Sequence, residues 1–157
     1  MMQKADYEIS RALPSDSTGI AEIEKECFSA PWSKKQVEDE ILRDNVVFLT
    51  AKNNGSVIGY ISGQMILDEF YISNVAVTEK FRNNHIGSSL IKNLIRILSD
   101  KKCSFATLEV RESNLNARKL YEKYGFEYLG KRRDFYSSPK ENACIYTLYF
   151  NNEVKHN

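Results

Sequence analysis

Two stretches of the chain hold residue types whose order could do chemistry. The first runs from Ser73-Asn74-Val75-Ala76-Val77 into Phe81-Arg82-Asn83-Asn84-His85-Ile86-Gly87-Ser88. A β-rich start, a polar middle and an apolar helical stripe beyond predict a strand entering a loop that opens a helix. At such a junction several backbone N–H groups lack intrahelical partners, and the positive end of the helix dipole lies beside them. That arrangement suits an anion, a diphosphate above all, because a concave set of N–H groups meets several oxygens at once. Arg82 adds a positive charge. The same segment also reads as an ordinary strand-to-helix connection with a solvated arginine. It is neither a G-x-x-x-x-G-K-S/T loop nor a G-x-G-x-x-G fingerprint. The second stretch is Leu108-Glu109-Val110-Arg111-Glu112-Ser113-Asn114, with Tyr121 following. Glu109 and Tyr121 could divide the removal and delivery of protons. Taken alone, they read more readily as a solvated charge at a strand end and an aromatic ring in a helix core.

Composition narrows the remaining chemistry. The 157 residues are 42% hydrophobic and 11% aromatic, enough for one domain with a packed core. Lys and Arg number 22 against 21 Asp and Glu, a net charge of +1. No broad field therefore attracts nucleic acid or an anionic membrane, and an anionic ligand must be held locally. Met1 to Tyr7 carry no apolar leader, and no run approaches the roughly 20 apolar residues that cross a bilayer, so a cytoplasmic protein is expected. Cys27, Cys103 and Cys144 are far apart and form no C-x-x-C pair, which disfavours a disulfide framework or a zinc site. With His85 and His156 as the only imidazoles, no metal is expected. Cys103, which precedes a strand on the basic Lys101-Lys102, is a poor acyl carrier.

The elements that must position these residues follow from periodicity. Tyr7 to Ala12 predicts a strand, and Asp16 can cap a helix with Ile20, Ile23 and Cys27 on one face. Ala30-Pro31-Trp32 is a loop. Ser33 with Gln36 has the form of a capping box opening a helix over Lys34 to Arg43. Val46 to Ala51 and Ser56 to Leu67 predict strands joined by the hairpin signal Asn54-Gly55, and Phe70 to Val77 a third. Ile86, Leu90, Ile91, Leu94, Ile95 and Leu98 recur with helical period. Phe105 to Val110 predicts a strand. Ser113 or Asn114 can cap a helix carrying Ala117, Leu120, Tyr121 and Tyr124, which ends at Gly125. Glu127 to Tyr136 and Ala143 to Phe150 are the last strands, separated by Ser137-Ser138-Pro139. The order β-α-α-β-β-β-α-β-α-β-β describes one mixed α/β domain over residues 1–150, with a frayed tail over 151–157.

Arg82-Asn83-Asn84-His85-Ile86-Gly87 resembles motif A of the GNAT acetyltransferases, Q/R-x-x-G-x-G/A, with His85 where the family has glycine. Leu108-Glu109-Val110-Arg111-Glu112-Ser113-Asn114, then Ala117, Leu120-Tyr121 and Gly125-Phe126, is similar to the pattern of bacterial ribosomal-protein alanine N-acetyltransferases, the RimI type. Ala30-Pro31-Trp32-Ser33, Ser73 to Val77, Arg132-Arg133-Asp134-Phe135-Tyr136 and Glu141-Asn142-Ala143 fit the same group, with Phe135 and Asn142 where tyrosine and aspartate are common. The resemblance covers nearly the whole chain.

It implies a GNAT fold, α/β (α+β), with a mixed sheet of about seven strands flanked by about four helices and central strands splayed around acetyl-coenzyme A. By the same resemblance Val75, Ala76 and Val77 offer backbone to the pantetheine arm, while Arg82, Asn83, Asn84, His85, Ile86, Gly87 and Ser88 surround the diphosphate. Asn114 contacts the cofactor. Glu109 is the general base, through water, and Tyr121 the general acid toward the coenzyme A sulfur. Read from the residues themselves, Trp32 and Tyr136 either line the entrance for a peptide terminus or are plain surface packing, and a backbone N–H near Val77 is the expected oxyanion donor. The implied acceptor is the N-terminal alanine of a small-subunit ribosomal protein, acetylated directly, with no nucleic acid or membrane partner. An α-amine near ~7.7–8.0 costs about 1 kcal/mol to deprotonate at pH 7, against about 4.6 for lysine. A single carboxylate base suits the former. Lysine, a polyamine or an aminoglycoside is the alternative acceptor, with Asp68, Glu69 and Glu141 as candidate acidic contacts. A non-catalytic coenzyme A-binding module is the other alternative.

Overall fold

Residues 6–150 are described by the computed structural model; the expected tail and His156 lie outside them. Seven strands and four helices follow the expected order: β1 (Glu8–Arg11), α1 (Ser17–Cys27), α2 (Lys34–Ile41), β2 (Val46–Asn53), β3 (Ser56–Ile66), β4 (Glu69–Val77), α3 (Ile86–Asp100), β5 (Phe105–Arg111), α4 (Leu115–Lys123), β6 (Glu127–Ser137) and β7 (Lys140–Tyr149). The strands form one sheet in the order β1-β2-β3-β4-β5-β7-β6. Every neighbouring pair is antiparallel except β4 with β5. The long connection between those two contains α3, as a parallel crossover requires.

Helices cover both faces. On one, the α3 stripe of Ile86, Leu90, Ile91, Leu94 and Leu98 packs with Ile61, Phe70, Leu108 and, from α4, Tyr121. Each stripe residue is at most 2% exposed, and burial of such a side chain stabilises by about 1.5–3 kcal/mol. On the other face, Ile20 and Ile23 of α1 and Val37 of α2 pack on Val46, Phe48, Tyr60 and Ala76. No helix among the described residues is long and apolar enough to cross a membrane.

The local stops behave as their chemistry dictates, with three departures. Ser33 and Gln36 form the reciprocal capping box, with bonds of 3.1 and 2.8 Å, although α2 ends at Ile41 rather than Arg43. Gly125 takes φ +93° after α4. Asp16 precedes α1, yet its carboxylate accepts from Leu13 N at 2.8 Å and pairs with Lys52 at 2.9 Å instead of capping the helix. The loop expected at Ser137-Ser138-Pro139 narrows to a turn, because Ser137 pairs with Lys140 and β7 begins there. The polar start of β7 has no alternating apolar pattern to reveal it; Glu141 and Asn142 hold it through side-chain bonds.

The β4–β5 pairing is short. It joins Glu69, Phe70 and Tyr71 to Phe105, Ala106 and Thr107 and then stops, so the strands diverge over Ile72–Val77 and Leu108–Arg111. A bulge lies at the point of divergence: Ser62 pairs with Asn74 and Gly63 with Ile72, which leaves Ser73 as the extra residue. A bulge bends its strand. Gly63 permits that bend, since a Cβ there would lie 2.5 Å from Tyr71 O and from the Phe70 ring.

Candidate active site

The divergence leaves β4 with an open edge. Thr78 N donates to Ile58 O of β3 at 2.9 Å. Because backbone groups of successive strand residues point to opposite sides, Val75 and Val77 turn theirs away from β3, toward the gap. Their side chains pack against the α3-side core. Val77 O is engaged by Arg82 Nε at 3.0 Å, so Val77 N–H and the Val75 groups are what the edge offers. Ala76 is buried on the α1 side.

Beyond β4 the chain closes onto α3 through a tight loop. Asn83 and His85 both adopt positive φ, +67° and +62°. Left-handed residues alternating with ordinary ones aim consecutive N–H groups into a concavity. Among the described residues no acceptor takes the N–H groups of Asn83, His85, Ile86, Gly87 or Ser88. His85 therefore holds the conformation that a glycine would supply. Asn84 ties the loop by donating to Phe81 O and Arg82 O at 3.0 and 3.2 Å. Arg82 folds back, its second contact being Cys27 Sγ at 3.4 Å. Gly87 lets α4 approach, since a Cβ there would stand 3.2 Å from Leu120.

Across the gap, β5 presents Glu109, whose carboxylate meets Arg132 Nε of β6 at 3.1 Å. Tyr121, on α4, is 6% exposed. Its ring packs with Phe126 and Tyr146 at 5.6 and 6.2 Å, and its hydroxyl bonds to no described residue. Burial, then the neighbouring Tyr136, raises its pKa above the usual phenol value. Tyr136 is pushed up to about 12 by burial and by Glu109, and the Arg111 guanidinium lies 4.3 Å from its ring centre. Tyr136 thus stands between Glu109, which acts on it, and Tyr121, on which it acts. Asn114 caps α4, its Oδ1 accepting from Ala117 N at 3.1 Å. Trp32 lies half-buried in the connection from α1 to α2.

The acidic trio is not gathered. Asp68 and Glu69 sit at the closed, paired end of β4, beside Phe105. Glu141 is at the other end of β5, pairing with Arg111 at 3.1 Å and accepting from Ser113 N at 2.6 Å. The Ser113 bonds, with Arg111 assisting, hold its carboxyl below the usual range. An acidic pocket for a polycation is therefore not what these residues form.

Glu24 and Asn74 stand beside the gap, and motif reading assigns neither a role of its own. Glu24 of α1 is 1% exposed, accepts from Asn74 Nδ2 at 2.7 Å and Trp32 N at 2.8 Å, and takes the Tyr60 hydroxyl in a further bond. The sequence carries a trace of this. Glu24 falls on the apolar stripe of Ile20, Ile23 and Cys27, where a carboxylate needs partners.

A splayed parallel strand pair, an N–H-lined loop opening a helix and a covering helix pair on the opposite face define the acetyltransferase class. The Acetyltransferase (GNAT) family model matches residues 18–126; the chain belongs to this family and is an N-acetyltransferase. It is 33% identical over 144 residues to the ribosomal protein bS18-alanine N-acetyltransferase of Haemophilus influenzae, spanning 90% of this chain and 97% of that protein. It is 30% identical over 142 residues to the Escherichia coli protein of the same name, spanning 89% and 95%. A crystal structure of the ribosomal-protein alanine N-acetyltransferase from Escherichia coli matches with TM-score 0.88 at 27% identity, covering 97% of this chain and 99% of that one.

Proposed function

We propose that this enzyme transfers acetyl from acetyl-coenzyme A directly to the N-terminal alanine of a small-subunit ribosomal protein, in the cytoplasm. The observation that carries the reading is the near full-length similarity to proteins whose names state that acceptor. Acetyl-coenzyme A supplies an acyl thioester whose sulfur departs as a thiol. The open edge at Val75 and Val77 suits the amides of its pantetheine arm, which add through main-chain hydrogen bonds as a peptide adds to a sheet edge. The N–H groups of Asn83, His85, Ile86, Gly87 and Ser88, which no described acceptor takes, suit its diphosphate, with Arg82 and Asn84 bracing the loop. Val77 N–H, on the open edge of β4, would be the donor to the carbonyl oxygen on which charge develops.

In this reading Glu109 removes the proton of the acceptor amine through water, and Arg132 keeps its carboxylate oriented. Tyr121 Oη holds the proton that the leaving sulfur requires. Its raised pKa keeps it protonated at neutral pH, the state a general acid needs. Trp32 and Tyr136 flank the peptide terminus, and Asn114 fixes the start of α4 and with it Tyr121.

Thiol release on incubation with acetyl-coenzyme A tests the acceptor. The expected outcome is release with a free alanine-initiated peptide copied from the ribosomal protein, and none when its terminus is blocked. A lysine peptide and spermidine should stay silent. Release with spermidine or the lysine peptide alone would overturn the acceptor while leaving the family unchanged.

A further inference from the structure

Glu24 is a carboxylate enclosed by donors alone: Asn74 Nδ2, Trp32 N and the Tyr60 hydroxyl. No lysine or arginine among the described residues pairs with it. A buried anion of this kind attracts any cation that reaches its neighbourhood. Its link to the gap is Asn74, which lies three residues beyond the last β4–β5 pair, on the splayed part of β4. Since Nδ2 is held by Glu24, the carboxamide presents Oδ1 on its other side, and that oxygen receives no hydrogen bond among the described residues. Asn74 is half-buried rather than sealed. Directly across the ladder is Ser62, fully buried, whose hydroxyl has no partner among the described residues. Unengaged polar groups in such a place are uncommon in folded proteins. Here two of them adjoin on the face that α1 and the Trp32 segment cover.

We infer that Asn74 Oδ1 is the acceptor-amine recognition point of the enzyme and that Glu24 is the positioning residue that turns it toward the amine. The inference rests on the N-terminal acetyltransferase reading. A carbonyl oxygen accepts from an α-ammonium or amine N–H, and a hydrogen bond from the same amide to a carboxylate makes that oxygen a stronger acceptor. The buried carboxylate behind it favours the arriving cation, and deprotonation is left to Glu109. Glu24 also holds Trp32 N. One carboxylate thus sets both the recognition atom and the wall of the entrance.

The test is a pairwise exchange measured by steady-state kinetics with the alanine peptide and acetyl-coenzyme A. Asn74→Ala removes the oxygen and should raise the peptide KM about tenfold, as for a lost hydrogen bond to a charged group. The KM for acetyl-coenzyme A should stay within about twofold. Glu24→Gln is close in shape, but either setting of the introduced carboxamide leaves donor against donor, at Trp32 N or at Asn74. Asn74→Asp sets carboxylate against carboxylate. Each alone should raise the peptide KM. Glu24→Gln combined with Asn74→Asp restores donor to acceptor and again offers an oxygen to the amine, so the peptide KM should return to within about threefold of wild type, the coupling expected of residues in direct contact. A peptide KM unchanged in Asn74→Ala, an equal rise in both KM values, or no recovery in the folded double variant would overturn the proposal. Failure of the wild type itself to acetylate the peptide would instead refute the acceptor reading, and this proposal with it.

Discussion

The surroundings of Tyr121 suit the proton-donor role proposed for it. Phe126 and Tyr146 enclose the ring, and that burial disfavours phenolate more than the nearby Tyr136 does. The folded pKa is raised, so the hydroxyl stays protonated below the ordinary phenol value and through it. Turnover should therefore show no falling limb from Tyr121 below pH ~10. Glu109→Gln and Tyr121→Phe should each lower kcat on the order of 10²-fold, with melting temperatures close to wild type because neither side chain fills a gap the substitute leaves empty. Near-normal turnover in the folded double variant would remove both roles. Motif spacing pointed to these two residues. It could not point to Asn74 or Ser62, because a polar residue within a strand run acquires meaning only when the ladder shows which face it shares. Glu24 was half visible, as a charge on an apolar stripe.

The strand β4 is the element on which the proposed chemistry depends, and its bend has a cause in β3. Gly63 sits where a Cβ would meet Tyr71 O and the Phe70 ring at 2.5 Å. Gly63→Ala should destabilise the fold by about 1–3 kcal/mol, as overpacking does, measurable by urea denaturation. It should also weaken binding of coenzyme A, since the β4 edge must shift. Unchanged stability and affinity together would show that this close approach does not set the splay. The elements themselves were legible because α3 and the hairpin at Asn54-Gly55 carry strong periodicity and turn chemistry. The start of β7 was not, since Lys140, Glu141 and Asn142 are polar and their pairing depends on β6. Nor was the divergence of β4 from β5 readable from residues alone; it entered through family resemblance, whereas its physical origin is a bulge that only the register exposes.

Across the molecule, the two cores divide the labour. The α3 side carries the loop suited to diphosphate, and the α1–α2 side carries Glu24, Asn74 and Trp32, so cofactor and acceptor would enter the gap from opposite faces of the sheet. Surface carboxylates fasten its surroundings. Glu26 accepts from Glu79 N and Thr78 Oγ1 at 2.6 and 2.7 Å, and Glu112 meets Lys131 at 2.5 Å. The Glu79 bond in the first case and the Lys131 bond in the second hold these carboxyls below the usual carboxylate range, as Ser113 does for Glu141. A depressed carboxyl stabilises the fold fully above its unfolded pKa and loses that contribution as the pH falls through the folded value. Thermal melts should thus be flat above pH 5 and fall steadily below about 4.5, with a shallower fall in Glu26→Gln. An identical slope in that variant would discount the clamp.

The proposed reaction is transfer to an α-amine at an N-terminal alanine. Its most direct test is fragmentation mass spectrometry of the ribosomal-protein peptide, carrying both a free N-terminal alanine and an internal lysine, after incubation with enzyme and acetyl-coenzyme A. One acetyl group is expected, on the first residue, and none on the lysine. Acetyl on the lysine with an unmodified terminus would contradict it.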